Sequence, residues 1–241
     1  MRTALHKLSL IAVATLWAAA GCAKHERSPG RAGRARVPPP LPTVVPAPDI
    51  ALLVLIQGNR RFVGDSSYTS DTSDDETTTG ALEEAKQATK VLAGAIDDGD
   101  LGVAFYASNY IERISMGPPR AVSALDAVTQ FEFRNERSRG FMRSVDTALT
   151  ELERSPRQRK VLVLISDGVE GGPRDVPIAP LVDHARAANV TIHALQVQPE
   201  AFADRRNMQA LGALGSYRGT HEPADLVKFA EELRDTLRPA R

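Results

Sequence analysis

Residues 160–168 read K-V-L-V-L-I-S-D-G, and this stretch decides the fold class. Five consecutive apolar residues, 161–165, are followed by the polar turn residues Ser166, Asp167 and Gly168. A short apolar run bounded in this way is typical of a strand buried on both faces, as in a parallel sheet. Asp167 follows the predicted carboxyl end of the strand, where open α/β sheets place their ligands. We therefore expect a functional site around Asp167.

Apolar and amphipathic segments alternate along the chain from Asp49 onward. Strands that alternate with helices predict an α/β fold: a doubly wound, mostly parallel sheet flanked by helices, with right-handed crossovers. We expect Pro223 to open the last helix and Val227 to face the core. Residues 121–133 fit neither pattern. The predicted strands are residues 50–56, 101–106, 110–115 (an edge strand), 161–165, 190–197 and 217–220, and the predicted helices are residues 81–96, 141–152, 181–188, 208–214 and 223–237.

The first 21 residues have the pattern of a signal peptide. A positive start at Arg2 and Lys7 precedes an apolar run, residues 8–20, that is too short to favour a spanning helix. Cys22 follows Ala-Ala-Gly and is the only cysteine, which excludes an intrachain disulfide. Its position resembles that of the lipidated cysteine of bacterial lipoproteins, although Ala19 stands where leucine is usual. The alternative is an ordinary secretory signal.

Residues 22–48 are predicted to link the lipidated cysteine to a domain that spans residues 49–241. Basic residues dominate the first half of this linker, and the second half contains P-P-P-L-P-T-V-V-P-A-P. Proline favours extended geometry and lacks a backbone donor, which indicates a semi-rigid spacer. Ala23 and Lys24 follow the cysteine in place of the aspartate that retains lipoproteins at the inner membrane in some bacteria. We therefore prefer the outer membrane.

Four segments after the first apolar strand occur in an order that points to one family. They are L-E-E-A-K (residues 82–86), G-V-A-F-Y (102–106), V-L-V-L-I-S-D-G (161–168) and L-G-S-Y-R-G-T-H-E-P-A-D-L (214–226). In their order and spacing, residues 49–238 resemble a von Willebrand factor type A domain. The resemblance implies protein binding rather than catalysis, and a Mg²⁺ site built from oxygen ligands at the carboxyl edge of the sheet.

The metal site of this family departs from its pattern in this sequence. The pattern is Asp-x-Ser-x-Ser after the first strand, a threonine before a later helix, and an aspartate after the fourth strand. The positions of the first aspartate, the two serines and the threonine hold, in that order, Gln57, Asn59, Arg61 and Arg139. Asp167 alone matches. Because arginine cannot ligate a metal, we expect no cofactor at this edge.

An arginine is expected to replace the cation. A carboxylate at Asp167 that is even partly desolvated needs a positive partner. Arg60, Arg61 or Arg139 could supply it through a bidentate pair; the alternative is that the site has simply been lost. The expected binding edge consists of Gln57, Asn59, Arg60, Arg61, Ser138, Arg139, Asp167 and Glu170.

An acidic segment, residues 65–76, offers a second metal hypothesis. Its sequence Asp71-Thr72-Ser73-Asp74-Asp75 imitates the first motif of the family, but it lies well beyond the first strand and lacks EF-hand spacing. Its composition predicts a solvated loop. The alternative is a Mg²⁺ or Ca²⁺ site that uses Asp71, Asp75 and Asp167.

The sequence gives little support for catalysis or for nucleic-acid binding. A hydrolase would need Asp167 with His184 or His193, and the Gly-x-Ser-x-Gly elbow is absent. We expect His193 to be a sheet residue with a hydrogen-bonded ring and His184 to be an exposed helical residue. Lys+Arg and Asp+Glu number 30 each, so no net charge favours nucleic acid.

These observations together predict a lipoprotein of the bacterial cell envelope, held at the membrane by its lipid anchor. Its domain is expected to bind a protein partner, and the protein is not expected to be an enzyme.

Overall fold

The computed structural model of the protein describes residues 50–59, 62, 80–96, 99–133, 140–168, 177–197 and 202–238. These residues form a six-stranded sheet with the strand order β3-β2-β1-β4-β5-β6. Only β3 runs antiparallel to its neighbour within this sheet. The strands are β1 (Ile50–Gln57), β2 (Asp100–Tyr106), β3 (Tyr110–Gly117), β4 (Arg159–Ser166), β5 (Val190–Val197) and β6 (Ser216–Thr220). The predicted doubly wound, mostly parallel α/β fold is confirmed.

Helices cover both faces of the sheet. They are α1 (Leu82–Ala93), α2 (Phe141–Arg154), α3 (Ala179–Ala187), α4 (Phe202–Gly212) and α5 (Asp225–Leu237), with two 3₁₀ helices at Pro119–Ala127 and Gln130–Phe133. One face carries α1, α5 and the 3₁₀ helices, and the other carries α2, α3 and α4. No helix among the described residues combines the length and the apolar character needed to cross a membrane.

The apolar run of β4 supplies side chains to both cores. Val163 and Ile165 pack against the α1 and α5 side, whereas Leu162 and Leu164 pack against the α2 to α4 side. All four are fully buried, and each such side chain contributes about 2 kcal/mol to folding. Because both faces are covered, the strand has no polar alternation, as expected from the sequence.

Helix α4 begins at Phe202, six residues before the predicted start at Met208. The added turn and a half contains the polar residues Arg205, Arg206 and Asn207. Arg206 is exposed, and Arg205 and Asn207 are partly buried, so these residues leave no apolar periodicity. The sequence pattern therefore shows only the end of the helix that begins with the buried Met208.

Helix α5 begins at Asp225, and Pro223 lies in the turn before it, so the predicted start was wrong. Thr220 sets this turn: its hydroxyl accepts the Glu222 N–H at 3.0 Å and donates to Asp225 Oδ2 at 2.8 Å. Val227, which was predicted to face the core, is only partly buried.

Residues 121–133, which were ambiguous in the sequence, are largely 3₁₀ helix. Lys86 on α1 holds the end of the first 3₁₀ helix in place. Its ammonium donates to the Val128 carbonyl at 3.0 Å and pairs with Glu83 Oε1 at 2.9 Å. Those two partners allow a lysine to be 4 % exposed, since a buried charge needs compensation.

Arg159 connects the amino end of the sheet to the end of the last helix. It lies opposite Ile50 in the β1–β4 register. Its Nη1 donates to the Leu237 carbonyl at 2.9 Å, and its Nη2 donates to the Thr236 carbonyl at 3.2 Å. A cation that binds the last carbonyls of a helix satisfies acceptors that the helix itself leaves open.

Candidate functional site

The candidate site lies where β1 and β4 end side by side. The strand order changes direction at this pair, because β1 is followed outward by β2 on one side and β4 on the other. Such a switch point at the carboxyl ends of parallel strands is the usual ligand position in open α/β sheets. Gln57 is the last residue of β1, and Asp167 directly follows β4. The structure therefore brings these two predicted site residues together.

Gln57 is fully buried, and its side-chain oxygen is an acceptor for residues of the neighbouring strand. Oε1 accepts the backbone N–H of Asp167 and the hydroxyl of Ser166, both at 2.8 Å, and the Tyr106 hydroxyl lies 3.3 Å away. The Tyr106 and Ser166 hydroxyl oxygens are 2.5 Å apart. Because Ser166 has a single hydroxyl proton, its donation to Gln57 leaves Tyr106 as the donor to Ser166.

The orientation of the Gln57 amide is set by Asp167. A backbone N–H can only donate, so the amide atom that faces it must be the oxygen. The amide nitrogen, Nε2, then points elsewhere, and among the described residues this buried donor has no hydrogen-bond partner. Buried donors in proteins are almost always hydrogen-bonded, so we expect an acceptor close to Nε2.

Asp167 is 1 % exposed, and the backbone on both sides of it is held by side chains. Its carbonyl accepts Gln196 Nε2 at 2.9 Å, and the next N–H, that of Gly168, donates to Ser166 Oγ at 2.7 Å. Gln196 Oε1 in turn accepts the Tyr217 hydroxyl at 2.9 Å. Burial raises the pKa of Tyr217, which keeps this hydroxyl protonated as a donor.

Gly168 allows this arrangement. Its φ of +82° is a left-handed conformation that favours glycine, and a Cβ there would lie 2.4 Å from Gln196 Nε2. The chain turns away from β4 at this residue. The turn glycine of the S-D-G sequence therefore leaves the space that Gln196 needs to reach the Asp167 carbonyl.

Asn59 organises the first residues after β1. Its Oδ1 accepts the backbone N–H of Phe62 at 2.8 Å, and Asn59 itself is 5 % exposed. Gly58 donates its N–H to the Tyr106 carbonyl, and a Cβ on Gly58 would lie 2.7 Å from the Phe133 ring. Asn59 thus serves the local backbone, as asparagine often does in turns.

At the position of the first metal-binding aspartate, the Gln57 side chain does not fit a divalent cation. Mg²⁺ requires several oxygen ligands with free lone pairs. The two lone pairs of Gln57 Oε1 are occupied by Asp167 N–H and Ser166, and one of the two lone pairs of Asn59 Oδ1 is occupied by the Phe62 N–H. Gln57 also contributes a donor, Nε2, which a cation would repel. Within the part of the chain that the structure describes, no group of three or more His, Cys, Asp or Glu side chains is arranged to hold a metal.

Several predicted site residues lie outside the described residues. They are Cys22, Arg60, Arg61, Asp71, Asp75, Ser138, Arg139 and Glu170. The pairing of an arginine with Asp167 therefore stays a prediction, as do the lipidation of the cysteine and the acidic loop as a metal site.

Tyr106, Ser166 and Gln196 were not predicted as a network. Each lies at or next to the carboxyl end of its strand, in β2, β4 and β5 respectively. In β2 and β4 the polar residue at the strand end is a signal that the sequence contains, since the strand interiors have no other polar residue, whereas β5 also holds Thr191 and His193 in its interior. Their pairing could be recognised only once the order of the strands was known.

The two histidines that a hydrolase would need are placed elsewhere. His193 is level with Val163 in the β4–β5 register, about 13 Å along the strand from Asp167. Its ring is 2.8 Å from Ser216 Oγ, which confirms the expected hydrogen-bonded ring. His184 was expected to be exposed, but its side chain is 24 % exposed and lies 2.8 Å from Asp146 Oδ1, because α3 packs against α2.

The fold and the edge described above define a class of α/β domain with its site at the sheet switch point. A family model for the von Willebrand factor type A (VWA) domain matches residues 62–234. This match covers most of the chain, and the chain belongs to the VWA family. The family predicted from the order of the sequence segments is confirmed. A search of the curated proteins gave no match.

Solved structures share the fold at low sequence identity. A von Willebrand factor type A protein from Catenulispora acidiphila is 17% identical with a TM-score of 0.59, over 79% of this chain and 43% of that chain. This chain therefore spans less than half of that protein's length. An aerotolerance-related membrane protein from Bacteroides fragilis is 10% identical, with a TM-score of 0.54, over 77% of this chain and 98% of that chain. The von Willebrand domain of a type V pilus tip protein from Porphyromonas gingivalis is 11% identical, with a TM-score of 0.56, over 80% of this chain and 97% of that chain.

Proposed function

We propose that this protein is a lipid-anchored protein of the bacterial cell envelope whose VWA domain binds a protein partner at the carboxyl edge of its sheet, without a divalent metal. One observation carries the proposal: at the position of the first metal-binding aspartate, Gln57 uses its oxygen to accept hydrogen bonds from Ser166 and from the Asp167 backbone. That oxygen is not available to a cation. A partner would meet a preformed polar edge.

The amino-terminal sequence supports the anchoring. A positive start, an apolar run and Ala-Ala-Gly precede the only cysteine, Cys22, in the arrangement that lipoprotein signals have. A lipid anchor contributes about 0.8 kcal/mol for each buried CH₂, so two or three chains hold a protein firmly on a membrane. Two proteins of similar fold, an aerotolerance-related membrane protein and a pilus tip protein, agree with an envelope role.

The proposed edge recognises a partner carboxylate through arginine. Arg60 and Arg61 follow β1 in the sequence, and Arg139 precedes α2. A guanidinium binds a carboxylate in bidentate fashion, with fixed geometry and without a metal ion. In this role the arginines take the part that a cation plays in other VWA domains, and the partner supplies an acidic side chain.

Affinity purification from envelope extracts tests this proposal. The full chain is immobilised, and retained proteins are identified with and without EDTA. We expect the same partner in both conditions. Replacement of Arg60, Arg61 and Arg139 by alanine should weaken its binding by about tenfold or more. Arg186→Ala, an exposed arginine on α3, is the matched control and should have no effect.

The same purification distinguishes the metal-dependent alternative. A partner that EDTA releases and Mg²⁺ or Ca²⁺ restores would contradict metal-free binding. In that case Asp71→Asn and Asp75→Asn should abolish the metal response, if the acidic segment supplies the ligands. An unchanged affinity in the triple arginine variant would contradict the role of the arginines.

Anchoring is tested separately by Cys22→Ser. The wild-type chain should partition into the membrane fraction and incorporate radiolabelled palmitate, and the variant should do neither. Signal cleavage without palmitate incorporation in the wild type would show an ordinary secretory signal instead.

A further inference from the structure

A cavity of about 310 Å³ lies between the edge strand β6, its neighbour β5 and helix α5. It is at the start of β6, away from the carboxyl edge that holds Asp167, since His193 and Ser216 are paired at this level. Helix α5 packs mainly along α1 and touches β5 and β6 only lightly, which leaves this space open. Its volume is at the lower end of the range for small-molecule sites in proteins.

One wall of the cavity is apolar. Leu195 on β5 is 2 % exposed and Leu233 on α5 is 8 % exposed, and Phe229 beside them is partly buried. Such a wall can remove an aliphatic or small aromatic side chain from water.

The lining of the cavity also carries one cation, Arg218 on β6, and one anion, Glu232 on α5. Arg218 Nη2 is 3.6 Å from Glu232 Oε2, which exceeds a normal hydrogen-bond distance, and the two side chains are 60% and 55% exposed. The Arg218 guanidinium also lies 6.0 Å from the centre of the Phe229 ring. A loose, exposed pair of this kind contributes little to stability, so both groups can turn to a ligand at low cost.

A polar atom lies at the base of the cavity. The His193 residue is 8 % exposed and its Nδ1 is 2.8 Å from Ser216 Oγ, whereas among the described residues Nε2 has no hydrogen-bond partner. Burial, and then the charge of Arg159, lower the pKa of His193 to about 4. The ring is therefore neutral at pH 7 and can exchange a hydrogen bond with an uncharged or a charged ligand atom.

We propose that this cavity binds a small zwitterion with an apolar side chain, that is, a free α-amino acid of the aliphatic or aromatic type. A ligand with one charge would be attracted by one member of the Arg218–Glu232 pair and repelled by the other. A zwitterion satisfies both, with its carboxylate on Arg218, its ammonium on Glu232 and its side chain against Leu195 and Phe229. The site is independent of partner binding at the carboxyl edge.

Calorimetric titration of the full chain with L-alanine, L-valine, L-leucine and L-phenylalanine tests the proposal. We expect saturable binding of at least one of them below about 10 mM. For leucine, the matched probes are 4-methylpentanoate, which lacks the ammonium, and isopentylamine, which lacks the carboxylate. Each should bind at least about tenfold more weakly than leucine, because each loses one of the two charge contacts.

Variants of the exposed pair complete the test. Arg218→Gln and Glu232→Gln should each weaken amino-acid binding about tenfold or more, while the melting temperature confirms that both remain folded. Glu231→Gln, an exposed neighbour that does not line the cavity, should bind as the wild type does. The proposal is overturned if no amino acid of the four binds, if the singly charged analogues bind as tightly as leucine, or if the pair variants keep wild-type affinity.

Discussion

The backbone N–H of Asp167 donates a 2.8 Å hydrogen bond to Oε1 of Gln57, and this bond joins the end of β4 to the end of β1. Ser166 donates to the same oxygen. One glutamine oxygen thus satisfies two donors in a place that water does not reach, since Gln57 is fully buried. The cost of losing that oxygen can be measured directly.

Replacement of Gln57 by leucine should lower the free energy of unfolding by about 1–3 kcal/mol, because the Asp167 N–H then stays buried without an acceptor. Urea denaturation measures this change. Gln87→Leu, at an exposed position of α1, is the matched control and should change stability by less than about 0.5 kcal/mol. Equal stability of the two variants would mean that Gln57 is not a structural acceptor.

The hydroxyls of Tyr106 and Ser166 should act as a unit, because their oxygens are 2.5 Å apart and both face Gln57. Tyr106→Phe and Ser166→Ala are each expected to cost about 1–2 kcal/mol of stability. In the double variant the costs should fail to add, with a coupling energy above about 0.5 kcal/mol. Additive costs in the double-mutant cycle would indicate that the two hydroxyls are independent.

Gly168→Ala should destabilise the domain by about 2–4 kcal/mol, because alanine is strained at a φ of +82° and its Cβ would meet the Gln196 amide. Gln196 cannot move aside freely, since Asp167 and Tyr217 hold both ends of its amide. Gly80→Ala separates the two effects: Gly80 has a φ of +58° and nothing within 4 Å of the added Cβ, so it should cost only about 1 kcal/mol. Denaturation midpoints that rank the two variants in the reverse order would contradict the contact with Gln196.

His193 should make the domain less stable in mild acid. Its pKa is about 4 in the folded chain and 6.5 as the ordinary value, so between these limits the unfolded chain binds more protons. The free energy of unfolding must then fall as the pH drops from 6.5 to 4, by up to about 3 kcal/mol from this group. Above pH 6.5 the neutral ring makes its full contribution to stability. Arg159 on β4, Arg218 on β6 and Glu232 on α5 are the charged groups near the ring.

Urea denaturation of wild type and His193→Gln at pH 4.5 and 7.5 checks this sign. The loss of stability on acidification should be smaller in the variant. His221→Gln, at an exposed position, should retain the wild-type loss. If His193→Gln loses as much stability between pH 7.5 and pH 4.5 as the wild type does, groups other than His193 cause the loss.

The strands were easier to predict than the helix starts. β5 was placed correctly at both ends, because eight consecutive residues, Val190–Val197, are mostly buried and polar residues flank them in the sequence. α5 began elsewhere because its start is set by local hydrogen bonds, such as those of Thr220. Such bonds compete with helix formation, and the spacing of apolar residues gives no information about them.

The site was predictable in position but not in its bonding. Gln57 and Asp167 could be placed at adjacent strand ends from two apolar runs and a family order. The acceptor role of Gln57 depends on β2 and β4 both lying next to β1, and on which side chains face the same core. The sequence does not say which strands are neighbours in the sheet, so the distances between side chains on different strands cannot be inferred from it.

The hydrogen bonds of Arg159 to the last turn of α5 have a consequence for how the domain can be held. They place Leu237 beside the start of β1, since Arg159 lies opposite Ile50. The eight residues of β1 then separate this end of the sheet from Gln57 by about 23 Å. The start of β1 and the end of α5 therefore lie at the same end of the sheet, and a tag joined directly to Leu237 would begin at the end of the sheet opposite Asp167.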